Sequence, residues 1–348
     1  MFSLADDDLA HIWQHAPVCL QDLDAARILI TGGTGFFGTW LVESLCFAKM
    51  QWGLHTEIVV LSRDPDAFLK KLPHLRSLPG LEWIEGDVTD FKFPEGPFTH
   101  MIHAATAASA ALNEAQPMIM LDTIIQGTRR ALDFAVQAGV KKFLLTSSGA
   151  IYGPQPPSLN QIEETYLGTA DPLQRTSAYG GGKWLAEHMA TMYGQTYDLD
   201  VKIARCFAFV GPYLPLDTHF AIGNFMRNVL RQEPIHLHGD GSPYRSYLYA
   251  ADLMIWLWRI LCEGVSGCVY NVGSEDAIAL GDLANRVAQF AKDTVPVVIA
   301  KTPNPNQLPS RYVPSTQRAQ QELALQQWVS LDDGIQRTLE WNMKSCKN

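Results

Sequence analysis

Apolar and polar positions follow two alternating periods along this chain. Short apolar runs typical of buried strands occupy residues 27–31, 57–62, 81–86, 100–104, 142–147 and 201–206. Between them, longer segments have apolar residues at helical spacing, among them 37–50, 118–138 and 179–197. Because strands that alternate with helices form βαβ units, the pattern predicts a parallel sheet covered by helices on both faces.

A short acidic segment precedes the first strand. Its apolar residues fall on one face of a helix: Leu4, Leu9, Ile12 and Trp13. We therefore predict that residues 1–23 form a lead-in helix that docks on the main fold. An element that binds a partner protein is the alternative.

The first strand runs into a glycine-rich turn, TGGTGFFG (31–38), that opens the first long helix. Gly32, Gly35 and Gly38 have the spacing GxxGxxG. The first glycine permits a tight turn, the second lets backbone N–H groups approach a pyrophosphate, and the third lets the helix pack closely on the strand. A pyrophosphate would then lie at the positive end of the helix. With a strand before it and a helix after it, the turn predicts dinucleotide binding.

The end of the second strand indicates which dinucleotide is bound. An acidic residue there binds both ribose hydroxyls and favours NAD, but Ser62 stands at that place and Arg63 follows it. Arg63 can pair with a 2′-phosphate, which favours NADP over NAD; a solvated Arg63 with Asp64 as the ribose ligand is the alternative. After the third strand, Asp87 is a candidate acceptor for the adenine amino group, and a helix N-cap is its alternative role.

These patterns together predict an α/β fold. Residues 24–211 are expected to form a Rossmann-type doubly wound parallel sheet that binds NAD(P). After residue 211 prolines become frequent and the helical patterns shorter. Residues 212–348 are therefore predicted to form mainly a smaller C-terminal α/β cap that binds substrate, with segments that return to the Rossmann domain.

Composition narrows the classes of partner and the compartment. The 27 basic and 36 acidic residues give a net charge of −9, which argues against a nucleic-acid or anionic-membrane surface. The first residues lack a basic segment followed by an apolar one, and no uncharged stretch reaches the ~18 residues that span a bilayer, so we expect neither signal peptide nor membrane span. Six scattered cysteines are typical of a reducing compartment rather than a zinc site. We expect a cytoplasmic protein without a metal.

A phenol and an ammonium group lie four residues apart at the start of a predicted helix. Tyr179 and Lys183 therefore share one face. A cation stabilises the phenolate of a tyrosine whose ordinary pKa is about 10, and such a phenolate can take a proton from a hydroxyl while hydride leaves the same carbon. Ser148, at the end of an apolar strand, can hydrogen-bond the reacting oxygen. A core tyrosine with a surface lysine is the alternative.

Eight motifs combine into a recognisable set: TGGTGFFG (31–38), GDVTD (86–90), HAAT (103–106), SSGAIYG (147–153), YGGGK (179–183), RCFAFVGP (205–212), GDGSPYRSYLYAADL (239–253) and YNVGSE (270–275). Together they resemble the extended short-chain dehydrogenase/reductase family, the nucleotide-sugar epimerases and dehydratases. The likeness covers nearly all of the chain, but the motifs are less specific for one reaction than for the family.

The resemblance implies a role for each matching residue. It implies that Tyr179 is the catalytic base, that Lys183 binds the nicotinamide ribose and that Ser148 orients the sugar hydroxyl. The implied cofactor ligands are Gly32, Gly35, Phe36, Phe37, Gly38, Ser62, Arg63, Asp87, Val88, Ala104, Ala105 and Lys183. The implied substrate ligands are Thr106, Ser148, Tyr179, Asn224, Arg245 and Arg311. Bidentate arginines suit a diphosphate, and a surface ion pair is the alternative for Arg245 and Arg311; Phe225 is expected beside Asn224 at the nucleotide end.

Two features depart from the family pattern. Dehydratases carry an Asp-Glu pair directly after the serine or threonine, and the decarboxylases keep the Glu, but Gly149 and Ala150 stand there. Both 4,6-dehydration and decarboxylation are therefore disfavoured. The second departure is the run Gly180, Gly181 and Gly182, which costs about 2–3 kcal/mol in a helix unless cofactor or substrate approaches it or the helix starts late.

The resemblance implies redox chemistry at C4 of a nucleoside-diphosphate sugar. A 4-epimerase would retain NAD and return the hydride to the other face, whereas a 4-ketoreductase would use NADPH once. Ser62 and Arg63 favour the reductase. Ser148, which is not followed by the carboxylates of the dehydratases, favours the epimerase. A non-catalytic dinucleotide sensor is the alternative class, although sensors commonly lose the Tyr or Lys that this chain keeps. Helices 118–138 and 179–197 are expected to form a homodimer interface, as in the family.

Overall fold

The protein is described by a computed structural model that covers residues 3–106, 110–218 and 220–345. Its helices are α1 (Asp6–Gln14), α2 (Pro17–Leu23), α3 (Phe36–Trp52), α4 (Pro65–Lys71), α5 (Ala110–Ala115), α6 (Pro117–Gln137), α7 (Ala178–Tyr197), α8 (Ala221–Leu230), α9 (Ala250–Glu263), α10 (Leu280–Ala288), α11 (Gln317–Leu323) and α12 (Leu331–Ser345). Three 3₁₀ turns span Pro73–Ser77, Gly149–Tyr152 and Arg175–Ser177.

The strands are mostly short outside one large sheet. They are β1 (Arg27–Thr31), β2 (Glu57–Ser62), β3 (Leu81–Glu85), β4 (His100–His103), β5 (Lys142–Ser148), β6 (Asp200–Cys206), β7 (Phe209–Val210), β8 (Ile235–Leu237), β9 (Tyr244–Arg245), β10 (Leu248–Tyr249), β11 (Val269–Val272), β12 (Ile278–Ala279), β13 (Val297–Ile299) and β14 (Arg311–Tyr312).

Seven of these strands form one sheet in the order β3-β2-β1-β4-β5-β6-β11. Every neighbouring pair in it is parallel. The strand order reverses between β1 and β4, which places a ligand-binding crevice at the carboxyl ends of these two strands. The predicted α/β fold class, a Rossmann-type doubly wound sheet, is confirmed, and β11 joins it from beyond residue 211.

Helices cover both faces of this sheet, which explains the unbroken apolar runs in its strands. Ile28 and Ile30 of β1 belong to one apolar core, together with residues of α1, α3 and α9. Leu29, between them, belongs to a second core with residues of α6 and α7. Successive side chains of a strand therefore serve opposite cores.

The segment before β1 forms two helices, because Pro17 begins α2 where α1 has ended. Leu9, Ile12 and Trp13 are fully buried, and α1 packs on α3 and α9. The Asp8 carboxylate accepts hydrogen bonds from the Tyr249 hydroxyl at 2.6 Å and from Arg337 at 2.5 Å. These contacts tie α1 to the start of α9 and to α12.

The C-terminal half adds three small sheets. Strand β9 pairs antiparallel with β12 and parallel with β14, β8 pairs with β13, and β7 pairs with β10. Within the described ranges, no helix is both long and apolar enough to cross a membrane. The five described cysteines are free, and Cys346 lies outside the described residues.

Candidate active site

The glycine turn after β1 has the shape that a pyrophosphate requires. Gly32 has a φ of +72°, and a Cβ there would lie 2.7 Å from the Ala104 carbonyl carbon. A Cβ on Gly38 would lie 2.2 Å from the Gly32 oxygen, whereas one on Gly35 would meet only that oxygen, at 3.4 Å. No side chain caps α3 at Gly35. The first-turn N–H groups of α3 thus face an open cradle, which fits a dinucleotide pyrophosphate.

The aromatic residues of the turn stabilise this helix start. Phe36 and Phe37 are half-buried against the core, and the Phe37 ring packs edge-on against Phe209 with 5.2 Å between ring centroids. We therefore expect Phe36 and Phe37 to contact the cofactor mainly through their backbone N–H groups at the helix N-terminus.

No carboxylate is free directly after β2, where the adenosine ribose is predicted to bind. The Asp64 carboxylate accepts the Ala67 N–H at 2.8 Å and so caps α4, while the buried Ser62 hydroxyl accepts the Asp64 N–H at 3.3 Å. Arg63 is exposed. The alternative in which Asp64 holds the ribose would require this cap to open.

Asp87 lies close to Arg63. Its carboxylate accepts hydrogen bonds from the backbone and hydroxyl of Thr89 at 3.0 and 2.7 Å, so it closes a turn rather than capping a helix. Burial acts to raise the pKa of Asp87, but these hydrogen bonds and the charge of Arg63 outweigh it and lower the pKa. The Val88 side chain is buried beside Gly127, so only its backbone is available for the predicted contact with the adenine.

The end of β4 forms the opposite wall of the crevice. The Ala104 N–H donates to the Thr31 carbonyl and the Ala105 N–H to the Thr31 hydroxyl, both at 3.2 Å. The Thr106 hydroxyl oxygen is buried and lacks a hydrogen-bond partner among the described residues. A buried unpaired hydroxyl at the mouth of the crevice suits a polar ligand atom.

Tyr179, Ser148 and Lys183 meet where β5 ends and α7 begins. Ser148 is the last residue of β5, and its hydroxyl hydrogen-bonds the Tyr179 phenol. Lys183 is 3% exposed, and its ammonium donates to the Thr146 carbonyl at 2.8 Å. The structure therefore brings Tyr179 and Ser148 together and places the Lys183 ammonium on the carbonyl of the residue two before Ser148.

The pKa values of Tyr179 and Lys183 differ from the expectation that the lysine lowers the pKa of the phenol. Burial raises the pKa of Tyr179 to about 12, against the effect of the Ser148 hydrogen bond, and Lys183 is not among the groups that lower it. Burial lowers the pKa of Lys183 to about 8, although Cys206 and Glu187 act in the raising direction. The protein groups alone do not make Tyr179 acidic, because the lysine interacts with the β5 carbonyl. A positively charged nicotinamide would act in the lowering direction.

A buried polar network that the sequence did not reveal supports α7. Glu187, one turn after Lys183, pairs with Arg205 at 2.7 Å and accepts a hydrogen bond from Ser147. Arg205 also donates to the Tyr152 hydroxyl at 2.7 Å. Ser147, Tyr152 and Arg205 belong to motifs of the family-like set, which was the available signal, whereas Glu187 lies in none of them. The network fixes α7 to β5 and β6 beneath the catalytic groups.

The two candidate phosphate-binding arginines lie on paired strands. Arg245 pairs in register with Tyr312, and Arg311 pairs with Tyr244. Arg311 lies over the Tyr244 ring at 4.3 Å, and Arg245 donates to the Tyr244 carbonyl at 2.7 Å. Both are half-buried. Among the described ion pairs neither arginine has an acidic partner, so both guanidinium groups keep donors for a ligand.

Asn224 lies on α8, and its amide donates to the Thr218 carbonyl at 2.9 Å. Phe225 is buried in the core. Among the described residues, Asn224 makes no hydrogen bond to Tyr179, Ser148 or Lys183. Its place at the nucleotide end of the cleft stays a prediction.

The space beside Gly149, directly after Ser148, is closed by aromatic side chains. A Cβ on Gly149 would lie 2.7 Å from Phe207 Cζ and 2.8 Å from the Tyr312 hydroxyl. Ala150 contributes its N–H to the Ser148 hydroxyl at 3.1 Å. Tyr312 also hydrogen-bonds Ser148, and it is a site residue that the sequence did not indicate.

The parallel sheet and the glycine cradle define the class of Rossmann-type dinucleotide-binding proteins. Within this class, residues 28–273 match the NAD dependent epimerase/dehydratase family. The chain belongs to that family, an enzyme family of NAD-dependent nucleotide-sugar epimerases, dehydratases and decarboxylases, and the resemblance stated above is confirmed.

Three known proteins illustrate the range of relatives. UDP-glucuronic acid decarboxylase 1 of Arabidopsis thaliana is 30% identical over 311 residues, 89% of this chain and 68% of the relative. DesIV, a dTDP-glucose 4,6-dehydratase of Streptomyces venezuelae solved with NAD bound, is 26% identical with a TM-score of 0.75, covering 91% of this chain and 97% of its own. The epimerase Mth375 of Methanothermobacter thermautotrophicus, 22% identical, shares the fold with a TM-score of 0.80 over 96% of this chain and 97% of its own.

Proposed function

We propose that this enzyme catalyses oxidation and reduction at C4 of a nucleoside-diphosphate sugar, without loss of water or carbon dioxide. One observation carries the proposal. Tyr179, Ser148 and Lys183 meet at the crevice, while Gly149 and Ala150 put no ionisable group beside them. That set can move a proton at a hydroxyl or carbonyl oxygen, and positions 149 and 150 add no carboxyl group for elimination.

Each residue has a distinct task in this proposal. The Tyr179 phenolate takes the proton of the C4 hydroxyl, and Ser148 hydrogen-bonds the same oxygen as it becomes a carbonyl. Lys183 holds the ribose hydroxyls of the nicotinamide half. Arg245 and Arg311 hold the substrate diphosphate by charge-assisted hydrogen bonds. The bound nicotinamide ring supplies or accepts the hydride.

The relatives are named for two other reactions, 4,6-dehydration and decarboxylation, and the site argues against both. A 4,6-dehydratase must protonate and remove a hydroxyl, and the decarboxylases of the family keep a glutamate that this chain lacks at Ala150. A side chain at Gly149 would collide with Phe207 and Tyr312. The site therefore favours C4 redox over the reactions named for those relatives.

Two C4 reactions fit the site. Arg63, with Asp64 engaged as a helix cap, favours NADPH and a single reduction of a 4-keto-6-deoxy sugar. The serine without neighbouring carboxylates favours a 4-epimerase that retains NAD. The dinucleotide released from freshly purified protein distinguishes them: retained NAD supports epimerisation, and NADP without retained product supports reduction.

The experiment is to incubate the enzyme with nucleoside-diphosphate hexoses and their 4-keto-6-deoxy derivatives and to follow C4 by NMR. We expect a change at C4 only, and Tyr179→Phe should lower turnover by about 10²–10⁴-fold with little change in substrate affinity. Arg245→Ala should chiefly weaken substrate binding. Water loss or carbon dioxide release as the main reaction, or full activity of Tyr179→Phe, would contradict the proposal.

A further inference from the structure

Tyr312 brings a second phenol to the catalytic serine. It is the second residue of β14 and pairs opposite Arg245 on β9. Its ring packs against Phe207 with 4.7 Å between centroids, and its hydroxyl lies 2.8 Å from the place that a Cβ on Gly149 would take. The phenol thus occupies room that a side chain after Ser148 would otherwise need.

The hydroxyl of Ser148 lies between two phenols. It hydrogen-bonds Tyr179 and also Tyr312, and it accepts the Ala150 N–H at 3.1 Å. A serine hydroxyl has one proton to donate and two lone pairs to accept with. Because Ala150 uses one lone pair, the remaining lone pair can accept from one phenol while the proton is donated to the other.

The proposed reaction decides which phenol donates, because a Tyr179 phenolate has no proton to give. Burial raises the pKa of Tyr312, and the neighbouring charges of Tyr179 and Cys206 act in the same direction, while Ser148 and Arg245 act against them. Burial also raises the pKa of Cys206 to about 12, so this thiol stays neutral. With Tyr312 protonated, its O–H donates to Ser148, and the Ser148 proton is left to point at Tyr179.

We propose that Tyr312 is a positioning residue that orients the Ser148 hydroxyl toward Tyr179 and so stabilises the Tyr179 phenolate. The proposal rests on the C4 redox function above. Hydrogen bonds in a chain polarise one another, so a Ser148 hydroxyl that accepts from Tyr312 is the stronger donor to a phenolate. The C4 hydroxyl gives its proton to Tyr179, the Ser148 hydroxyl then turns from the neutral Tyr179 phenol to the new C4 carbonyl oxygen, and Tyr312 keeps its own proton.

The test compares Tyr312→Phe with the wild type across pH. Without the phenol, we expect the pH at which the rate rises to move upward by about 0.5–1, a rate loss of about 3–10-fold at neutral pH that recovers at high pH, and an unchanged KM. Tyr197→Phe, a phenol 54% exposed at the end of α7, is the matched control. A lower rate at every pH with no shift, or a change confined to KM, would overturn the proposal.

A second variant tests the proposal even if Tyr312→Phe folds poorly, and a second measurement tests it without a sugar substrate. Gly149→Ala should displace the Tyr312 hydroxyl and produce the same upward shift, even if Tyr312→Phe folds poorly. If no sugar nucleotide reacts with the wild type, the proposed function fails, and the Tyr312 proposal is still tested by titrating the phenolate absorption of the NAD-loaded protein. A transition that Tyr179→Phe removes should move to higher pH in Tyr312→Phe; an unmoved transition would refute the proposal.

Discussion

Lys183 is an ammonium group buried beneath the crevice, 3% exposed. Burial lowers its pKa from 10.5 to about 8, so the unfolded chain binds this proton more tightly than the folded chain. The charged lysine therefore destabilises the fold below pH 8, and the destabilisation disappears as the pH rises from 8 to 10.5.

Replacing Lys183 with methionine should remove both this destabilisation and the activity. We expect Lys183→Met to raise the free energy of unfolding near neutral pH by about 1–3 kcal/mol, partly offset by the lost hydrogen bond to Thr146. Denaturant unfolding of the dinucleotide-free proteins at pH 7 and pH 10 measures the difference. It should be smaller at pH 10, and a constant or growing difference would contradict the assigned pKa.

Arg63 is the residue on which the cofactor preference depends. It is exposed beside Asp87, where it can pair with a 2′-phosphate. NADP(H) should therefore bind more tightly than NAD(H), and Arg63→Ala should narrow the difference, as measured by calorimetry. Arg76→Ala removes another exposed arginine, 3.4 Å from Asp66, and should change neither affinity. Equal affinities in the wild type would show that Arg63 does not select the cofactor.

Helix α7 shows the effect of three glycines in one turn. The helix begins at Ala178, so a late start does not explain them. A Cβ on Gly180 would lie 2.6 Å from the Ala150 carbonyl oxygen, and one on Gly182 would lie 3.2 Å from Leu121 and Ile124. Protein groups thus approach two of the glycines, while a Cβ on Gly181 would meet nothing within 4 Å.

This difference predicts opposite effects for the same substitution. Gly181→Ala should raise the free energy of unfolding by about 0.5–1 kcal/mol, because alanine favours the helix. Gly180→Ala should lower it and reduce turnover, because the new methyl group pushes α7 and Tyr179 away from Ala150. Thermal unfolding and activity assays of both variants provide the check. Equal effects at the two positions would refute this account.

The large elements could be predicted from sequence, and the small ones could not. Strands β1, β2, β5 and β6 lie within two residues of their predicted ends, because strands buried on both faces read as unbroken apolar runs. Strands β9 and β14 have two residues each, too few for any periodic pattern.

Tyr312 illustrates the consequence for the site. Ser148, Tyr179 and Lys183 stood in motifs of fixed spacing, so they could be named from the sequence. The place of Tyr312 depends on the pairing of β14 with β9 and on the room left by Gly149. Such a contact between residues far apart in the chain leaves no local signal.

The whole molecule keeps an apolar surface on α6 and α7. Met118 and Ile119 of α6 and Trp184 and Met192 of α7 are between 44% and 64% exposed, and the two helices pack on each other. A matching surface on a second copy would cover them. We therefore predict a homodimer with helix-on-helix packing.

Sedimentation at micromolar concentration tests this assembly. The wild type should sediment as a dimer, and Trp184→Glu should shift it toward monomer by placing a charge in the apolar interface. Trp52→Glu changes an equally exposed tryptophan, 49% in both cases, at the end of α3, and should leave the dimer intact. A wild type that is only monomeric would contradict the prediction.

Helix α1 meets α3 early in the synthesis of the chain but meets α9 and α12 late. The Asp8 carboxylate accepts hydrogen bonds from Tyr249 and Arg337, which follow it in the chain by 241 and 329 residues. At ribosomal rates of ~5–20 residues per second, roughly 10–50 s separate the emergence of Asp8 from that of Tyr249. Throughout that interval Leu9, Ile12 and Trp13 have no native surface on α9 to cover them. Until α9 emerges, the part of this apolar face that α9 covers in the finished enzyme has no native partner.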